Sequence, residues 1–155
     1  MKRALLLAVA LSSMLLGAAT IPAGADLEPR RASFRLIEDA TTDVVVDVGA
    51  PGDSTGDLLT FHNRVRWSDG RRAGTDQGSC VRIDPAAGTW ECTFTIWVTN
   101  GAHVGRIAVA GSFYDTRVSA LAVTGGTGDF KHASGTLWIR TRDASSFWFT
   151  FAIAL

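Results

Sequence analysis

Trp90-Glu91-Cys92-Thr93-Phe94-Thr95-Ile96-Trp97-Val98-Thr99-Asn100-Gly101 decides the fold class. Trp90, Cys92, Phe94, Ile96 and Val98 form one stripe, Glu91, Thr93, Thr95, Trp97 and Thr99 the other. That period of two is a half-buried β-strand, and Asn-Gly after it is a strong hairpin signal. Outward from this strand the chain repeats the pattern. Thr42 to Val48 alternates with Val44, Val46 and Val48 on one side, and Asp57 to Trp67 reads as a strand closed by Ser68-Asp69-Gly70. Val104 to Ser112, Ser119 to Thr124, Gly135 to Arg142 and Ser146 to Leu155 follow, while Asp129 to Ser134 has room for one helical turn. Eight or nine strands linked by turns imply a sandwich or a barrel. Strand length and apolar residues on both faces, as in Phe147, Phe149, Phe151 and Ile153 against Trp148 and Ala152, favour an antiparallel β-barrel. Eight strands make a lumen that side chains fill or that holds one small ligand.

The ends set the compartment. Lys2 and Arg3, an apolar run from Ala4, and Ala23-Gly24-Ala25 make a secretory signal peptide over residues 1–25, too short in its core to span a bilayer. Residues 26–33 read as a flexible lead-in and 34–155 as the barrel domain. Without the leader, thirteen basic residues stand against fifteen acidic ones, and no basic run exceeds two. Nucleic acid is therefore not an expected partner, nor is a membrane after cleavage; the expected product is secreted.

Cys80 and Cys92 reach a compartment where thiols pair. A hairpin that sets Asp84 opposite Gly88 brings the two cysteines face to face; a one-residue slip separates them. A bridge and a free, reactive Cys80 are the two alternatives.

Gly125-Gly126-Thr127-Gly128-Asp129-Phe130-Lys131-His132-Ala133-Ser134-Gly135 resembles the signature loop of the allene oxide cyclase and dirigent superfamily. Gly56 to Val65, Gly78 to Val81 and Trp90 to Phe94 resemble further strands of the same family, in order. No Gly-Lys-Ser/Thr closes the glycine loop, so a structural role is expected in place of a phosphate cradle. The resemblance implies an eight-stranded barrel, commonly trimeric, with an apolar cavity for a small organic molecule. It implies positioning chemistry, cyclisation or stereoselective coupling, with no cofactor and no metal. Asn63 matches a cavity asparagine, Phe61 an aromatic of the wall, and Trp90 and Phe113 fall where that wall is aromatic. Cys80 matches a cavity cysteine. The first strand carries Arg35 and Ile37 where the cyclases have an acid and an asparagine, which sets Glu38, the nearest acid, on the opposite face. Asn63, Glu38 and Cys80 are the catalytic candidates; Phe61, Asn63, Trp90 and Phe113 are the candidate cavity residues. The alternative function is an exported ligand-binding or structural barrel without chemistry. A carbohydrate binder using Trp67, Trp97 or Trp148 is a weaker third reading, and no carboxylate pair is placed for glycosidic cleavage.

Overall fold

A computed structural model describes residues 30–155; the leader of residues 1–25 lies outside the described residues. The strands are β1 (Arg31–Asp39), β2 (Val44–Val46), β3 (Leu58–Trp67), β4 (Arg72–Asp84) and β5 (Thr89–Val98), then β6 (Gly105–Tyr114), β7 (Ser119–Gly126), β8 (Ser134–Asp143) and β9 (Ser146–Ala154). One 3-10 turn, Gly128–Phe130, precedes β8. Neighbours pair antiparallel in the order β1-β9-β8-β7-β6-β5-β4-β3-β2, and β1 also pairs with β3. Leu36 lies opposite Trp67 and Asp39 opposite Arg64, so the sheet closes on itself. Eight strands, β1 and β3 to β9, make the barrel, which excludes the two-sheet sandwich.

β2 lies outside the ring. It pairs with Leu58, Leu59 and Thr60, on the same edge of β3 that β1 occupies further along. β1 and β2 are thus two lengths of one broken strand, separated by Ala40 to Asp43. This corrects the expected strand from Thr42 to Val48: only three residues pair, and Val44, Val45, Val46 and Val48 are all exposed. With no neighbour beyond it among the described residues, β2 leaves its side chains exposed. The lead-in is also shorter than expected, because Arg31, Ala32 and Ser33 pair with Ala154, Ile153 and Ala152 of β9.

Inside the ring, alternation holds strand by strand. The inward stripe of β5 is Trp90, Cys92, Phe94, Ile96 and Val98, with Ile96 wholly buried and Trp90 nearly so. Its register places Phe94 beside Gly78 and Val109, and Cys92 beside Cys80 and Gly111. Asn100-Gly101 is a turn, but within a longer connection, because Trp67 donates its indole N–H to the Asn100 carbonyl at 2.9 Å and packs there.

One end of the lumen is sealed. Phe34 stacks on Phe151 at 4.7 Å between ring centroids, with Trp67 at 6.0 Å and Phe130 at 6.3 Å. Phe130 reaches this layer from the glycine loop. A Cβ on Gly126 would fall 2.1 Å from the Arg106 carbonyl oxygen, and Gly128 adopts φ +62°, where a Cβ would fall 2.6 Å from the Val104 oxygen. Glycine is what lets the turn lie this close and drive Phe130 inward, the structural role expected of the loop.

Candidate functional site

The opposite end of the lumen is where polar groups gather. β1 turns Phe34, Leu36 and Glu38 inward, β3 turns Phe61, Asn63 and Val65 inward, and β4 turns Asp76 and Cys80 inward. Glu38 therefore faces the lumen, which corrects the expectation that it faces away. Period two dictates this: Leu36 is completely buried and Glu38 is two residues on.

Asn63 is 1% exposed and fully engaged. Its Nδ2 donates to Glu38 Oε1 at 2.8 Å and to Asp43 Oδ1 at 2.7 Å. Its Oδ1 accepts from the Thr41 N–H at 3.1 Å, the Thr42 N–H at 3.0 Å and the Thr42 hydroxyl at 2.9 Å. Both donors and the carbonyl are spent, with three donors on one side and two acids on the other. Asn63 pins the break between β1 and β2 and aims Glu38; it has no donor left for a guest.

Asp76 is completely buried, and neither of its carboxyl oxygens has a hydrogen-bond partner while both acids are ionised. Burial raises its pKa to about 7, against the opposing effect of a hydrogen bond with Glu38. Glu38 is raised well above the ordinary carboxyl value, first by burial and then by repulsion from Asp76. Two carboxylates cannot hydrogen-bond; a bond between these two exists only when one holds a proton. Glu38 and Asp76 are thus a buried pair of acids whose burial and mutual repulsion favour the protonated form. Sequence reading missed Asp76, and with it the pair.

Beside Glu38 lies a cavity of about 60 Å³, room for a few waters. Its wall is Phe61, Phe94, Phe113, Phe147 and Phe149, with Leu59, Ile139 and the two cysteines completing it and Asp43 at its mouth. Phe61 meets Phe94 edge to face at 5.7 Å, and Phe113 meets Phe147 likewise at 5.8 Å. Of the cavity candidates, Phe61 and Phe113 are in the wall, Asn63 stands behind Glu38, and Trp90 does not line the cavity. The Trp90 ring is covered by the Arg82 guanidinium at 4.5 Å, and its indole N–H donates to Asp115 at 3.0 Å. Arg82 also bonds Asp53 through two nitrogens, both at 2.6 Å. This layer ties the loop before β3 to the one after β6.

Cys80 and Cys92 are joined in a disulfide. They face each other across β4 and β5 as the bridge requires, although Asp84 pairs with Thr89 and a bulge takes up the difference. A bridged sulfur is no thiolate, so the reactive-thiol role of Cys80 is withdrawn.

No protein-family model matches the chain, and no curated protein matches it in sequence. Solved structures do match in shape. A pyocyanin demethylase superposes with TM-score 0.67 at 23% identity, covering 78% of this chain and 99% of its own. A pterocarpan synthase dirigent protein gives 0.70 at 15% identity, covering 88% and 96%. An exo-specific intermolecular Diels-Alderase gives 0.64 at 11% identity, covering 80% and 98%. Likeness at such identities concerns the backbone, and it agrees with the closed ring of eight strands: the fold of this chain is an antiparallel β-barrel like that of these dirigent proteins and Diels-Alderases.

Proposed function

We propose that the protein is an exported barrel that takes a small, largely apolar organic molecule at the hollow end and guides its cyclisation or coupling by proton transfer from the Glu38–Asp76 pair. The observation that carries this is the pair itself: two carboxyls buried without a cation, beside a phenylalanine-walled cavity. Burying such groups is costly, and neither closes the barrel nor fills a core. A carboxyl held protonated near neutral pH is what general acid catalysis asks for. The mechanism follows. The apolar wall expels water and orients the guest; Asn63 holds Glu38 in one rotamer. Glu38 gives its proton to a basic oxygen or carbon of the guest, and the product returns it. Asp76 shares the charge left behind. No cofactor is called for. Export is supported by the leader-like N-terminus and is compatible with the disulfide.

The test is incubation of the mature protein with polyene and epoxide substrates, and with phenols in the presence of an added one-electron oxidant, following product stereochemistry. An enantiomeric excess, abolished by Glu38→Gln while the fold persists, is the expected result; racemic product at the uncatalysed rate with every substrate counts against catalysis. A second reading, a binding or structural barrel without chemistry, is favoured by the cavity volume of about 60 Å³, well under the roughly 300–1,000 Å³ of common ligand sites. Guest binding without turnover would select it.

A further inference from the structure

The outer wall of the barrel carries a second, separate concentration of polar and aromatic groups. Register fixes it: Arg64 on β3 lies opposite Thr75 on β4, Thr75 opposite Trp97 on β5, and Trp97 opposite Arg106 on β6. Ile96 and Val98 flank Trp97 inside the ring, so by alternation the whole row faces outward. With strands roughly 4.8 Å apart, the row runs on the order of 14 Å across the wall. His62, Gln77 and Thr95 form the next row. A shallow groove of about 320 Å³ follows these residues, and one of about 460 Å³ continues it past Arg64; the two share His62, Arg72 and Thr75.

The cations of this groove are unspent. Ion pairs among the described residues take up Arg66, Arg71, Arg82 and Arg142, leaving Arg64, Arg72 and Arg106 without one. The acid that lines the groove, Asp39, is held by Arg66 at 3.0 Å. Glu91, the acid on the outer stripe of β5, lies at the other end of that strand and bonds Ser112. Trp97 also stands apart from the two other tryptophans a carbohydrate binder could use. Trp148 is covered by two guanidiniums, Arg35 at 5.2 Å and Arg142 at 5.5 Å, and Trp67 packs into the aromatic layer with its indole N–H spent. Trp97 is 45% exposed, with Arg106 alone over its ring at 4.9 Å.

This combination matches a sugar acid on three counts. The C–H groups on a pyranose face carry partial positive charge and pack on an aromatic face. A carboxylate takes a guanidinium fork through two parallel bonds. Ring hydroxyls meet the hydroxyl and amide groups of Thr75, Gln77 and Thr95. A neutral sugar would leave the guanidiniums unused, and a nucleic acid would need a longer basic track beneath its phosphates.

We propose that the outer wall of β3 to β6 binds an acidic polysaccharide built of uronic acids, with Trp97 as the stacking platform and Arg64, Arg72 and Arg106 gripping its carboxylates. The wall lies across the sheet from the Glu38–Asp76 pair, so this site neither requires nor tests the hollow-end reading. For an exported chain it would hold the barrel on an acidic polymer while the lumen stays open.

The test is titration of the mature protein with polygalacturonate and alginate. Methyl-esterified polygalacturonate serves as the uncharged twin, and single-stranded oligothymidylate as a polyanion without sugar acids. Expected are binding to a uronate polymer, at least about tenfold weaker binding to the ester, and a loss of at least about fivefold between about 50 and about 500 mM NaCl. Trp97→Ala should weaken uronate binding about tenfold, and Trp97→Phe should restore most of it. Arg64→Gln combined with Arg106→Gln should cost as much; both positions are exposed, and an unchanged melting temperature checks the fold. Binding of neither uronate polymer, or equal binding of the ester, would overturn the proposal. So would full affinity in Trp97→Ala, or oligothymidylate binding as tightly as the uronates, which would assign the wall to nucleic acid.

Discussion

At the packed end of the lumen, Phe34, Trp67, Phe130 and Phe151 close on one another, Phe151 having no exposed surface. At the hollow end, Phe61, Phe94, Phe113, Phe147 and Phe149 leave a space, and Glu38 and Asp76 lie beside it. The residue type is the same; the arrangement differs. One set is brought together by a glycine loop that inserts a fourth ring, while the other has no insertion and two acids that resist collapse. Aromatic packing is thus concentrated at one end and the buried acids at the other, a division expected when a site must keep unfavourable groups in place.

The largest effect should come from opening the packed end. Phe151→Ala should cost about 3–5 kcal/mol of unfolding free energy, whereas Phe147→Ala at the half-buried rim should cost about 1 kcal/mol. Equal losses in denaturant unfolding would erase the distinction between the ends. Next comes pH. The acid pair has folded pKa values above the unfolded value of about 4, so the folded chain keeps a proton that the unfolded chain releases. Its contribution is intact below about pH 4 and is lost as pH rises through Asp76's value of about 7, a decline on the order of a few kcal/mol. Asp76→Asn should flatten that slope in melts across the same range, and an unchanged slope would remove the pair from the account. Replacing both cysteines by alanine opens a bridge of sequence separation 12 and should cost about 2–3 kcal/mol, read from the shift in denaturant midpoint. The smallest effect belongs outside the ring, where Val45→Thr in exposed β2 should change stability by less than about 0.5 kcal/mol.

Much of this was legible in the chain itself. Strands with two distinct faces announce themselves at single-residue resolution, so the stripes of β5 and β9 were separable in the sequence, while which stripe faces the lumen became visible only in the closed ring. The cysteine pairing was readable because two residues on facing strands must share a side. Ring closure was less so: strand length and strands apolar on both faces favoured a barrel and the family resemblance agreed, but nothing local says that β1 meets β3 as well as β9. The Glu38 face was misread because register was taken from the family's first strand, although Phe34 and Leu36 beside charged Arg35 carry the correct alternation. Asp76 was invisible for another reason. Between Thr75 and Gln77 it looks like one more polar residue, and only its pairing with Asn63 and Ile96 turns it inward. The valines of β2 misled in the opposite sense, being apolar in sequence and bare to solvent.

β1 also bears on how the protein assembles. Strands β3 to β9 each pair with the next in sequence, but β1, at the start of the described chain, must wait for β9 at its end before Arg31 can meet Ala154. Bringing such distant partners together carries the largest loop-closure cost in the molecule. Glu38 travels on that strand. Pairing of β1 with β3 sets Glu38 opposite Val65, but the burial that raises its pKa and that of Asp76 is complete only when the ring is sealed.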